Sequence, residues 1–152
     1  MTEQTPKGID PRGPRFGASI TSILLIVTVF LALDPATETI SLALLAFIVA
    51  MFVIGATQGT ANHPYGLIFK KLIKPSLSEP KELEDPRPPK FAQAVGLLVT
   101  GTGLVLALIG VPYAIAIAAG FAFIAAFLNA AFAYCLGCQM YLGLKRLGVI
   151  KH

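Results

Sequence analysis

The chain has 152 residues, of which 55% are hydrophobic and only 13% charged, and its mean hydropathy is +0.74. That balance excludes an ordinary soluble domain, whose surface needs far more charge. The net charge of +4 does not indicate nucleic acid, because the twelve Lys and Arg residues stand in small groups beside long apolar runs and have few interleaved aromatics.

Those cations divide the chain. They fall in an N-terminal stretch (Lys7, Arg12, Arg15), a central stretch from Lys70 to Lys90 and a tail (Lys145, Arg146, Lys151), leaving two cation-free runs of equal length, 16–69 and 91–144. A membrane helix needs about 20 mostly apolar residues, because hydrocarbon cannot satisfy an exposed backbone N–H or C=O, so each run can cross a bilayer and return. The predicted fold is an all-α membrane protein of four transmembrane helices, arranged as two tandem helical hairpins with interfacial amphipathic segments. Its divisions are a tail over 1–15, hairpin one over 16–63, an amphipathic segment and charged Pro-rich linker over 64–91, hairpin two over 92–144 and a tail over 145–152. Cations flanking short loops stay in the cytoplasm, which puts both termini and the linker there.

The first span, 16–33, stops at Asp34-Pro35, where proline removes a donor and disfavours helix in the residue before it. It is too long for the apolar core of a secretion signal, and no small-x-small cleavage site follows it. The second span starts near Ile40, after Thr37 and Thr39 as cap candidates, and ends at His63-Pro64. Tyr65, Leu67, Ile68, Phe69, Leu72 and Ile73 then alternate with Lys70, Lys71 and Lys74, as in a short helix at the inner headgroups. Residues 79–89 form a solvated, proline-rich spacer. The third span, 92–111, turns at Gly110-Val111-Pro112, so the third and fourth helices are antiparallel neighbours. The fourth begins near Tyr113 and stays apolar to Leu144, about 48 Å at helical rise, so it must tilt, bend or leave a core of about 30 Å.

The two halves share punctuation. Asp10-Pro11-Arg12-Gly13-Pro14-Arg15-Phe16 recurs at an offset of 75 as Asp85-Pro86-Arg87-Pro88-Pro89-Lys90-Phe91. The same offset maps Leu67-Ile68-Phe69-Lys70-Lys71-Leu72 onto Leu142-Gly143-Leu144-Lys145-Arg146-Leu147. An internal repeat of this kind, with two spans per unit, predicts like-oriented hairpins about a pseudo-twofold axis along the membrane normal.

Chemistry concentrates at Cys135-Leu136-Gly137-Cys138, which holds both cysteines of the chain. A CxxC pair suits redox work, since one thiolate attacks a disulfide and the second resolves the mixed species, and i, i+3 spacing on a helix meets the Cα separation a disulfide needs. Counting from Pro112 puts Cys135 about 34 Å down the fourth helix, near the cytoplasmic interface and toward a helix C-terminus, where the dipole opposes a thiolate. His63, which the offset of 75 sets against Cys138, is the candidate thiolate-stabilising group, and Asn129 is a candidate interhelical hydrogen-bonder. The candidate catalytic set is therefore Cys135 and Cys138 with His63. No cofactor is expected; the alternative is zinc or another soft metal on Cys135, Cys138 and His63, one ligand short of a closed zinc site. No charged residue lies within the spans, which argues against a channel or transporter.

Two segments, 84–96 and 127–141, with a looser one at His63-Pro64-Tyr65, resemble a bacterial family of small integral membrane proteins, domain of unknown function 4395. The resemblance covers nearly the whole chain. It implies an actinobacterial-type plasma-membrane protein and companionship with thioredoxin-like or sulfurtransferase-like soluble proteins. Two function classes follow. One is a membrane thiol-redox or sulfur-handling component that exchanges electrons with a thioredoxin-like partner or a lipid quinone. The other is a non-catalytic accessory subunit that packs against a larger membrane complex through its small-residue faces.

Overall fold

The computed structural model describes residues 10–59, 63–78, 83, 85 and 87–148. The N-terminal tail through residue 9, most of the spacer 79–89 and the tail beyond residue 148 lie outside the described residues.

Four long helices form the body: α1 (Arg12–Ala32), α2 (Glu38–Gln58), α4 (Arg87–Leu108) and α5 (Ala114–Phe132). Two shorter ones, α3 (Pro64–Ile68) and α6 (Leu136–Arg146), follow each hairpin. All four long helices are apolar and long enough to cross a membrane. Each hairpin begins with the same clamp. Asp10 accepts the Arg12 backbone N–H (3.0 Å) and pairs with the Arg12 guanidinium (2.8 Å). Asp85 does the same for Arg87, at 2.9 and 2.7 Å. The clamp occupies an otherwise unpaired N–H of the first turn and fixes a cation at the helix start. The Arg12 guanidinium holds the Asp10 carboxyl below the usual carboxylate range, and Arg87 acts likewise on Asp85.

The turn after α1 forms where Asp34-Pro35 requires it, with Asp34 accepting the Ala36 N–H at 2.9 Å. Thr37 occupies the N-cap position of α2 but does not cap it. Its hydroxyl instead donates to the Leu31 carbonyl at 2.7 Å, serving an orphan acceptor at the end of α1.

Helix α1 packs on α2 and α5, and α4 packs on the same two, closing a four-helix ring. Leu25, Ile48, Phe52, Ala119 and Ala122 form its core. Thr28 and Thr100 are fully buried among these helices and donate to the carbonyls of Leu24 and Gly96 (2.7 Å each), so neither of these two hydroxyl protons is left unpaired. Gly103 lets α4 meet α5 closely: a Cβ there would overlap the Ala118 methyl and stand 3.3 Å from the Ala114 carbonyl oxygen. Outward-facing Phe30, Leu98, Ile109 and Phe121 are each at least 66% exposed, as lipid-facing side chains should be.

The short helices lie against the first helix of their own hairpin, α3 on α1 and α6 on α4. Helix α3 starts alongside α2 rather than beyond its end. Its N-cap, His63, hydrogen-bonds the carbonyl of Met51, seven residues before the end of α2 and so about 10 Å up that helix. From there α3 runs back along α1, with Tyr65 against Gly17 and the Phe69 ring 5.9 Å from that of Phe16. Lys70, Lys71 and Lys74 follow at its exposed end.

Candidate functional site

The fourth span bends rather than continuing. Helix α5 stops at Phe132; Ala133 adopts a left-handed conformation (φ 55°) and donates its N–H to Asn129 O, while Tyr134 N–H reaches Leu128 O, both at 3.1 Å. That conformation costs a non-glycine residue about 1 kcal/mol, so the break is imposed by what the chain must do next. Cys135 is then extended (φ −89°, ψ 105°) and serves as the N-cap of α6. Its Sγ accepts the N–H of Cys138 at 3.1 Å.

This corrects the expected placement of the motif. The pair stands at a helix N-terminus, not toward a C-terminus, so the unpaired N–H groups and positive dipole end favour a thiolate on Cys135 when the pair is reduced. In the present state Cys135 and Cys138 are disulfide-bonded, with Cα atoms 5.1 Å apart. Helix α6 is held by Gly137, which is buried against Ala92 of α4, and by Tyr141, whose ring lies 5.6 Å from that of Phe91.

Two cavities meet at Cys135. One, of about 570 Å³, opens among the cation-bearing ends and is lined by Arg12, Arg15, Asp85, Gln139, Cys135 and Cys138. Arg15 spans it, its guanidinium donating to the Ala130 carbonyl at 3.2 Å. The second, of about 200 Å³, runs from Cys135 and Gly137 between α4 and α5 toward Phe121, and no charged residue lines it. Gln93 and Asn129 line both cavities, and neither side-chain amide has a hydrogen-bond partner among the described residues.

His63 is not brought to the sulfurs. It lines small spaces with Thr21 and Tyr65 on the α1–α2 side, and Gln93 lies between that side and the cavities of Cys135. Both of its ring nitrogens are engaged: Nε2 is 2.8 Å from Met51 O, and Nδ1 accepts the Tyr65 N–H at 3.1 Å. It is therefore the neutral tautomer protonated at Nε2. The offset of 75 set it against Cys138, whereas by position in the fold it corresponds to Cys135, since each is the N-cap of its short helix. The three-ligand set of Cys135, Cys138 and His63 is accordingly not assembled, and among the described residues no group of three or more His, Cys, Asp or Glu comes together. Asn129 does stand beside the pair, facing a cavity instead of bonding to another helix. Gln93 was not singled out in the sequence; the signal was a side-chain amide just inside the start of the third span.

No curated protein and no solved structure matches the chain. Residues 9–146 match the family described as a domain of unknown function, DUF4395, and the chain belongs to that family.

Proposed function

We propose that this is a bacterial plasma-membrane thiol–disulfide exchange component in which Cys135 and Cys138 cycle between disulfide and dithiol against a soluble thioredoxin-like protein. The observation that carries the reading is the N-cap position of Cys135, with its Sγ accepting the Cys138 N–H. A thiolate leaving that position is stabilised before any partner resolves it, and lower-energy thiolates leave faster. Both sulfurs line the cavity that opens among the cationic ends, so a protein thiol has a route to them. A purely structural purpose for the bond is poorly supported on magnitude: a loop closed over three residues restrains the unfolded chain by only about 2 kcal/mol, against about 4.7 kcal/mol for a loop of 100.

The address follows from charge. Arg12, Arg15, Lys70, Lys71, Lys74, Lys145 and Arg146 gather at one end of the bundle, which the positive-inside tendency assigns to the cytoplasm together with both termini. The matching clamps at Asp10–Arg12 and Asp85–Arg87, and the matching ring pairs Phe16–Phe69 and Phe91–Tyr141, support a repeat of two like-oriented hairpins.

The exchange balances as follows. A partner thiolate attacks Cys138, the Cys135–Cys138 bond breaks, and Cys135 leaves as thiolate. The partner's second thiol then displaces Cys138, so the partner carries the new disulfide and this chain the dithiol. The purified full chain in lipid vesicles, mixed with reduced thioredoxin, should pass from maleimide-resistant to doubly labelled. Failure of thioredoxin to open the bond at any ratio would overturn the proposal and favour the accessory-subunit reading.

A further inference from the structure

We infer that the uncharged cavity beside Cys135 is a quinone-headgroup site, through which the reduced pair passes its two electrons to a membrane quinone. The inference rests on the thiol-exchange reading above and names the oxidant of the same pair.

The cavity combines two features that few membrane molecules satisfy together. Its walls are mostly apolar, including Phe52 of α2, Val99 of α4 and Ala122 of α5, while Gln93 and Asn129 also line it and their side-chain amides have no hydrogen-bond partner among the described residues. A quinone ring is apolar on its faces and carries two carbonyl acceptors at its edges, which match two NH₂ donors. A lipid acyl chain in the same place would leave both amides unpaired in an apolar space, and no cation lines the cavity to hold a phosphate. At about 200 Å³ the cavity lies below the range of about 300–1,000 Å³ that encloses a drug-sized ligand, so it takes a ring and not a prenyl tail. The tail has an exit past Phe121, which lines the cavity and is 66% exposed on the lipid-facing surface.

The two sulfurs divide the work. Cys138 lines the wide cavity alone, whereas Cys135 lines both, so the sulfur that leaves as thiolate already faces the ring. Once a soluble dithiol has reduced the pair, the Cys135 thiolate adds to a ring carbon and the adjacent carbonyl oxygen takes one proton. The Cys138 thiolate then attacks Cys135 Sγ, the disulfide re-forms, and the carbon–sulfur electron pair stays with the ring as it leaves with a second proton as quinol. The net change is dithiol plus quinone to disulfide plus quinol, with both thiol protons on the quinol oxygens.

The test uses the full chain in phosphatidylcholine vesicles, reduced and then freed of reductant under anaerobic conditions, with decylubiquinone as the probe. Re-formation of the disulfide is followed by maleimide labelling and quinone loss by absorbance. The expected result is one quinone reduced per pair, with quinone-free vesicles staying reduced. In the Gln93→Leu, Asn129→Leu double variant, the rate with quinone divided by the rate with the soluble oxidant diamide should fall about tenfold or more. A pair that diamide oxidises but quinone does not would overturn the quinone site and leave the exchange reading standing. An unchanged ratio in the double variant would place quinone oxidation elsewhere and overturn this site. A pair that neither quinone nor thioredoxin turns over would overturn both.

Discussion

Gly137→Leu should unseat α6 from α4 and lower stability by about 3 kcal/mol, the upper end of what overpacking costs. A Cβ on Gly137 would stand 2.5 Å from both the Cα and the Cβ of Ala92, and 3.4 Å from its backbone nitrogen. The obstacle is therefore backbone and a methyl attached directly to it, with no flexible side-chain end to swing away. Helix α6 has to move, and its N-cap moves with it. Thermal melts of the purified protein would report the loss, and thioredoxin-driven opening of the disulfide would report the displaced site. Gly137→Ala should cost less, and Ala92→Gly in the same chain should recover part of the loss, because it removes one of the two clashing atoms. A double-mutant cycle isolates that coupling. An additive outcome would mean that the two helices do not meet at this point.

The spans were legible because the constraints that set them act along one dimension. Charge stays out of hydrocarbon and backbone polar groups must be paired within the helix, so the cation-free runs gave the first three helices within a few residues of Arg12–Ala32, Glu38–Gln58 and Arg87–Leu108. The end of the fourth was not legible. Nothing in Ala131-Phe132-Ala133-Tyr134 breaks a helix: there is no glycine or proline, and alanine is the best helix former. The break at Ala133 comes from tertiary packing, since α6 must return along α4 with Gly137 on Ala92 and Tyr141 on Phe91. The cap was hidden for a different reason. Sequence reading looks for Ser, Thr, Asp or Asn at a helix start, and a thiol sulfur accepting an N–H is outside that set.

One clue was available and misread. His63-Pro64 has the pattern of a helix start, with proline at the first helical position, and His63 does cap α3. His63 stands as far before Phe69 as Cys135 does before Tyr141, and those two rings pack on Phe16 and Phe91 in turn. Aligning caps and rings instead of cations moves His63 from Cys138 onto Cys135 and places the motif at a helix start. The basic residues misled because a cation at the exposed end of a short helix can slip by several positions without cost, whereas a buried ring or cap cannot.

Cys135→Ser should abolish exchange completely while leaving α6 in place. Serine is among the preferred N-caps, so the helix start that would lose about 1 kcal/mol with alanine is kept, and removal of so short a disulfide loop costs no more than about 2 kcal/mol. The loss of activity would then be chemical. Comparison with Cys138→Ser separates the two sulfurs, since that variant keeps Cys135 at the helix N-terminus while Cys135→Ser leaves only Cys138, inside the first turn. At neutral pH the lone Cys135 should react with iodoacetamide about tenfold faster than the lone Cys138. That ratio corresponds to about 1.4 kcal/mol, within what a helix terminus and its free N–H groups contribute to a thiolate. Part of the difference could come from access alone, so the rates are compared again in detergent-unfolded protein, where the ratio should collapse toward unity. Equal rates in the folded chain would remove the N-terminal stabilisation of Cys135. The pair would then lack the asymmetry that makes one sulfur the leaving group toward a protein partner and the nucleophile toward an electron acceptor in the membrane.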